Sequence, residues 1–142
     1  MEYPALFEPA DEGGFVIRFP DFGWGTTQGD NEQDGREMAE DALLTMIAEH
    51  IRQGEPIPEP SHPRGKRFRL IQLSVIAGTK IELYRAFLES GIRKAELARR
   101  LGIPKANVDR LFDLKHHSRL DQLEAACAVL GKKLEVSVRD AA

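Results

Sequence analysis

The run Lys94-Ala95-Glu96-Leu97-Ala98-Arg99-Arg100-Leu101-Gly102-Ile103-Pro104-Lys105-Ala106-Asn107-Val108-Asp109-Arg110-Leu111-Phe112 decides how this chain reads. Leu97, Ala98 and Leu101 recur at the spacing of one helical face, with charged residues on the other. Gly102 supplies the positive φ that a helix exit needs, and Pro104 suits the start of a second helix. There Val108, Leu111 and Phe112 form the inward stripe. Two short helices joined by a glycine turn, with the small Ala98 where they pack, spell a helix-turn-helix. The second helix of such a unit lies in the DNA major groove with its N-terminal residues against base edges. The outward residues are Lys105, Ala106, Asn107 and Arg110; a lysine or arginine matches guanine O6/N7 and an asparagine matches adenine N6/N7. Lys94, Arg99, Lys115, His116 and Arg119 are the candidate phosphate contacts around it.

Outward from that run the chain is basic. Residues 64–142 hold 17 Lys/Arg against 9 Asp/Glu, a net of +8, whereas residues 1–63 hold 3 against 14, a net of -11. The overall charge of -3 conceals this opposition. An asymmetry of that size implies two surfaces with two kinds of partner, a basic one for the front and an anionic one for the back. The stretch 54–65 holds Gly54, Pro56, Pro58, Pro60, Ser61, Pro63 and Gly65 and reads as a linker, dividing the chain into 1–63 and 64–142. A total of 142 residues makes each half marginal alone, so oligomerisation is expected.

Several classes are excluded. The single Cys127 rules out a disulfide framework and a cysteine zinc site, and its place between Leu123 and Leu130 suits a small core residue. His116-His117, with Asp113 as the nearby carboxylate, reads as a turn cap or phosphate contact instead of a metal site. No run approaches the ~18–20 apolar residues of a membrane span, and the acidic Met1–Glu12 lacks the pattern of a secretory signal. The expectation is a soluble cytoplasmic protein with no cofactor and no membrane partner.

The front half alternates. Tyr3 to Pro9 reads as a strand confined by Pro4 and Pro9 to an edge or to strand ends. Asp11-Glu12-Gly13-Gly14 is a turn, and Phe15-Val16-Ile17-Arg18-Phe19 completes a hairpin. A short strand fits around Gly25–Gln28. Asp30 or Asn31 then caps a helix with an acidic first turn and a stripe through Ala39, Leu43, Met46, Ile47 and Ile51, stopped near Gln53. Phe68 to Val75 has strand character, Lys80 to Glu89 reads as a helix, and Leu134-Glu135-Val136-Ser137-Val138 alternates as a terminal strand. That strand needs a partner: the strand near 69–75 of the same or another subunit is available, and pairing across a two-fold would supply a dimer.

Taken together, these runs resemble the HicB antitoxin family of type II toxin–antitoxin systems. The front half carries Tyr3-Pro4, the turn Asp11–Gly14, Phe15-Val16-Ile17-Arg18-Phe19-Pro20-Asp21, Thr27-Gln28-Gly29-Asp30 and Ala39-Glu40-Asp41-Ala42-Leu43. The back half resembles the helix-turn-helix version of the family through Leu97–Gly102, Asp109-Arg110-Leu111 and Leu120-Asp121-Gln122-Leu123-Glu124. The resemblance implies an α+β architecture: a partial RNase H-like β-β-β-α-β front domain, its last strand within 66–75, and a mainly helical helix-turn-helix back domain with a terminal strand. It further implies a small basic HicA-like RNA-cleaving toxin as partner of the front domain, and the operon's own operator DNA as partner of a dimeric or higher oligomeric back domain. The acidic front would complement a basic toxin and speed association.

Two departures from the family stand out. Where the family has a Pro-Gly pair after Phe-Pro-Asp, this chain has Phe22-Gly23-Trp24-Gly25, and Gly35 replaces a common alanine at about 1 kcal/mol in helix propensity. The candidate toxin-facing residues are Tyr3, Glu8, Asp11, Glu12, Asp21, Phe22 and Trp24; for Tyr3, Phe7, Phe15 and Phe19 the competing role is core packing, and for the acids it is solvated loop charge.

Two other classes compete. A nuclease needs carboxylates converging on a metal, and Asp21, Asp30, Asp34 and Asp41 are spread over loops and a helix face, so no catalytic residue is assigned. A ligand-sensing helix-turn-helix repressor without a toxin partner is the alternative, unsupported by any glycine-rich phosphate cradle.

Overall fold

Alternation along Glu2–Pro9 turns Tyr3, Ala5 and Phe7 to one face, and a computed structural model, which describes residues 1–141, builds this segment as strand β1. Gly13 and Gly14, both at positive φ, reverse the chain into β2 (Phe15–Arg18). Strands β3 (Thr26–Gly29) and β4 (Phe68–Gln72) complete an antiparallel sheet of order β3-β2-β1-β4. β1 is therefore internal, which corrects the edge position that its prolines suggested. The prolines are tolerated because the neighbours overlap β1 only in part: β4 pairs with Glu2–Leu6 and β2 with Leu6–Pro9. Pro4 and Pro9 each face one paired strand, toward the two ends of β1.

Helix α1 (Glu32–Gln53) starts where Asn31 accepts the Asp34 N–H at 2.9 Å, while the Asp34 carboxylate accepts the Asp30 N–H at 2.8 Å. Of the two cap alternatives Asn31 is the one used. Glu32 and Asp34 in the first turn and Arg52 in the last complement the helix dipole, and Gly54 (φ 71°) ends the helix. Its buried residues Ala39, Leu43, Met46 and Ile47 share a core with Tyr3, Phe7, Ile17 and Ile71 of the sheet. Each large apolar side chain buried there contributes ~1.5–3 kcal/mol.

The start of α1 meets β3 through glycine. A Cβ on Gly29 would lie 2.3 Å from the Gly35 Cα, and one on Gly35 would lie 2.8 Å from the Phe7 Cε2. Gly35 is therefore required by close approach; it is not merely a lapse in helix propensity.

The proline-rich stretch is strapped down. The Tyr3 hydroxyl donates to the Pro58 carbonyl at 2.7 Å, the Asp21 carboxylate accepts the Ser61 N–H at 3.1 Å, and Ile57 is buried. The chain accordingly divides into compact units at Gly78/Thr79, inside helix α2 (Val75–Ser90), and not at the boundary expected after residue 63. Arg64, Lys66, Arg67 and Arg69 belong to the front unit, which then carries 7 basic against 14 acidic residues, a net of -7; the back unit has 13 against 9, a net of +4. Ser74 also shortens the expected strand 68–75, because its Oγ accepts the Ala77 N–H at 3.1 Å and opens α2 earlier than Lys80.

From Thr79 onward the unit is helical: the rest of α2, α3 (Lys94–Leu101), α4 (Lys105–Phe112) and α5 (Leu120–Val129). α3 and α4 occupy the spans expected from the sequence. Gly102, at φ 68°, donates to the Ala98 and Arg99 carbonyls and turns the chain between them. Leu97, Ala98, Val108, Leu111 and Leu123 are buried, and Phe112 packs between Tyr84 (5.7 Å) and Phe87 (5.1 Å). Cys127 is buried among them, and its burial pushes the thiol pKa up.

The terminal strand is corrected: residues 134–138 pair with no strand among the described residues, and β4 pairs with β1 instead. Val136 and Val138 stand 58% and 96% exposed. A strand exists only where a neighbour accepts its N–H groups, and this chain directs none to it.

Candidate functional site

In the back unit α4 presents Lys105, Ala106 and Arg110 to solvent. Asn107 is half-buried, and with Arg110 it borders a recess of about 310 Å³ walled by Leu101, Leu111, Asp121 and Gln122. The four residues expected outward on α4 are thus brought together, with Asn107 set toward α5. Lys94 is tied to α4 through an ion pair with Asp109 at 2.6 Å. Arg99 donates to Glu96 at 2.9 and 2.5 Å, and Arg100 donates at 2.9 Å; these bonds, Arg99 first, hold the Glu96 carboxyl at about 2. Both Lys94 and Arg99 remain on the surface. Lys115 follows α4 in a turn where its N–H reaches the Asp113 carboxylate at 3.0 Å.

His116 is half-buried and works through its main chain. Its N–H donates to the Asp113 carbonyl at 3.1 Å, and its own carbonyl accepts from Lys80. Lys80 is the residue that the sequence reading missed. It is fully buried, and its Nζ donates to the carbonyls of Arg110 (2.8 Å), Asp113 (2.7 Å) and His116 (2.7 Å). One cation thereby clamps the end of α4 and the turn carrying Lys115 and His116, where the helix dipole is negative. Burial pushes the Lys80 pKa down from its usual value, and the Asp113 charge opposes that shift. The signal was available: Lys80 falls on the stripe of Ala77, Ile81, Tyr84 and Phe87, all buried. A lysine on an apolar stripe needs a specific set of acceptors.

In the front unit the expected partner residues separate into distinct places. Asp11 and Glu12 are exposed on the β1–β2 turn; Asp21, Phe22 and Trp24 lie on the loop after β2, at the other end of the hairpin. The four residues of β2 put roughly 13 Å between those ends. Glu8 pairs with Arg18 on the sheet face opposite α1. Three expectations are corrected. Tyr3 is a core residue with no exposed surface, Phe22 is buried 5.4 Å from the Tyr3 ring, and the Asp21 carboxylate is spent on the Ser61 N–H. Phe22 goes inward because Gly23 and Gly25, both at positive φ, let the loop fold back on the sheet.

Trp24 remains, 46% exposed. It stands between two recesses, one of about 370 Å³ bordered by Leu6, Arg18 and Phe19, the other of about 450 Å³ bordered by Glu49, His50, Gln53 and Glu55. Its ring lies 6.5 Å from the His50 ring at 30°. Hydrogen bonds from Arg52 and then Gln53 hold the Glu49 carboxyl at about 2, so it stays ionised. The outward side of α1 adds Glu37, Glu40 and Asp41. Asp30 and Asp34 are committed to the α1 cap, and among the described residues no cluster of three metal-ligating side chains forms. Among the described residues no helix is long and apolar enough to cross a membrane.

These features define a two-module α+β protein: an acidic sheet-and-helix module with an exposed tryptophan, followed by a basic module of short helices. Residues 2–82 match the family model described as HicB_like antitoxin of bacterial toxin–antitoxin system. Antitoxin HicB of Escherichia coli (strain K12) is 39% identical over 136 residues, spanning 96% of this chain and 98% of that protein. Antitoxin HicB 1 of Photorhabdus laumondii subsp. laumondii is 38% identical over 138 residues, 97% of this chain and 87% of that one. A solved toxin–antitoxin complex from Streptococcus pneumoniae aligns with a TM-score of 0.45 at 19% identity, over 75% of this chain and 92% of that one. The chain belongs to the HicB-like antitoxin family of bacterial toxin–antitoxin systems.

Proposed function

We propose that this chain is an antitoxin that binds and neutralises a small, basic HicA-type RNA-cleaving toxin through its front unit. In this reading the back unit is a helix-turn-helix that binds the operator of its own operon as a dimer or higher oligomer, in the cytoplasm. The carrying observation is the opposed charge of the two units, -7 and +4. A surface of net -7 favours encounter with an RNA-binding protein, whose own surface must be basic. The β-β-β-α-β order of the front unit is that of a partial RNase H-like fold, and it serves as a binding scaffold without catalytic residues. Trp24, a large ring on a loop between two recesses, is the anchor for the toxin. In the back unit Lys105 and Arg110 read bases, with Asn107 beside them, and Lys94, Arg99 and Lys115 meet phosphates.

The test is co-expression with the basic, histidine-containing protein encoded beside it. The two should co-purify, and the neighbour should be toxic only without this chain. Arg110→Ala should weaken operator binding by about tenfold or more, as loss of one bidentate base contact does, while neutralisation persists; Trp24→Ala should do the reverse. A neighbour that is harmless on its own would sink the antitoxin reading. A variant at Arg110 that loses neutralisation but keeps operator binding would sink the division of labour.

A further inference from the structure

Residues 132–141 leave the helical unit after α5 without joining a sheet. Their root is held, since Lys132 pairs with Glu89 of α2 at 3.3 Å. Beyond it the side chains alternate. Leu134, Val136 and Val138 fall on one side, with Glu135, Ser137 and Arg139 on the other. Val136 and Val138 are 58% and 96% exposed. Two exposed valines in an alternating segment with free N–H and C=O groups form an adhesive edge unless something pairs with it.

We propose that this segment pairs with the same segment of a second copy, as an antiparallel two-stranded ribbon centred on Ser137. The argument is register. Centred there, Val136 opposes the partner's Val138, Glu135 opposes the partner's Arg139, and Ser137 opposes itself. The two-fold repeats each pair, giving two valine pairs on one face and two opposite-charge pairs on the other. The neighbouring registers are worse. Centring on Val136 sets Lys133 against Arg139, and centring on Glu135 sets the two glutamates against each other. Centring between residues places valines against polar side chains. The sequence is thus self-complementary in one register. Glu135 is within 3.6 Å of Lys133 in a fully solvated pair, which is readily exchanged for Arg139 of a partner.

An isolated two-stranded ribbon is marginal, so the dimer should dissociate on dilution. The ribbon joins two basic helical units about a two-fold, as two operator half-sites require. That consequence rests on the DNA-binding reading, whereas the ribbon geometry does not.

The experiment uses the full chain in a Cys127→Ala background, so that an introduced thiol is the sole one. Ser137→Cys should form a covalent dimer under mild oxidation, because residues directly opposite in an antiparallel pair have Cα atoms about 4.5–5.5 Å apart, within disulfide reach. Val136→Cys and Val138→Cys should each self-link about tenfold less, since like positions two residues out of register lie about 8 Å apart. Mixed together, those two variants should link to each other. By light scattering, Glu135→Arg or Arg139→Glu alone should shift the protein toward monomer, and the double exchange should restore the dimer. The ribbon is overturned if Ser137→Cys stays monomeric. It is equally overturned if Val136→Cys self-links as readily as Ser137→Cys, or if Ser137→Cys links instead to a cysteine placed in β4. A ribbon dimer that ignores operator DNA would sink the DNA reading and leave this inference standing.

Discussion

Replacing Lys80 with methionine tests whether one buried cation holds the DNA-facing end of the helical unit together. The methionine keeps the length and the apolar stem, so the change removes the charge and three hydrogen bonds at 2.7–2.8 Å. A hydrogen bond to a charged group is worth about 1.5–3 kcal/mol, so three contribute roughly 4.5–9 kcal/mol. Against this stands the removal of an ammonium from water, several kcal/mol that methionine does not incur. The carbonyls are not orphaned either: Ser118 Oγ stays 3.4 Å from that of Arg110, the His116 N–H serves Asp113, and the Ser118 N–H serves His116. The net loss is therefore about 2–4 kcal/mol, a large share of the ~3–10 kcal/mol typical of a unit this small. Urea unfolding reads it directly. Trp24 is the single tryptophan and lies in the front unit, so its fluorescence reports that unit, while far-UV circular dichroism includes the helical one. Lys80→Met should lower the dichroism midpoint and leave the Trp24 midpoint in place. A change below about 1 kcal/mol, or a gain in stability, would refute the clamp, because the desolvation term would then have matched the three bonds.

Gly29→Ala should destabilise the front unit by about 1–3 kcal/mol or more in thermal unfolding, because the added methyl meets the Gly35 backbone, which has no rotamer to give. Gly35→Ala should cost less, since helix propensity returns about 1 kcal/mol and its obstacle is the Phe7 ring; equal tolerance of both would refute the close-approach argument. Phe22→Ala should cost ~3–5 kcal/mol as a core truncation, whereas Trp24→Ala should stay within about 0.5 kcal/mol and act on toxin affinity alone; calorimetric unfolding separates them. Glu96, held at about 2 against an ordinary 4.5, favours the folded state fully above pH 4.5 and loses that contribution as pH falls toward 2. A carbon-detected NMR titration should find its midpoint well below those of Glu37 and Glu40, and Arg99→Gln should raise it; an unmoved midpoint would remove Arg99 as the cause.

α3, Gly102 and α4 were legible because every cue there is local: an apolar stripe, a left-handed exit and a proline start lie within one run. The same holds for the Asn31 cap and the Gly54 stop of α1. Trp24 was legible as a large ring on a glycine loop, but its neighbour Phe22 was not legible as core. Which of two aromatics folds inward depends on the space beneath them, set by Tyr3 and Phe19 from another part of the chain.

By itself, then, the sequence determined the order of elements, the span of the paired helices, the family and the opposition of charge. All of these rest on residue type and short-range spacing. Only the tertiary structure decided where the units divide, which strand is internal, which expected contacts are buried, and that Lys80 clamps the far end of α4. Those outcomes depend on contacts between residues distant in the chain: Tyr3 with Pro58, Asp21 with Ser61, Gly29 with Gly35, Lys80 with His116. No local pattern encodes the partner in such a contact, because it is selected by the space and the unsatisfied groups that the rest of the fold leaves over.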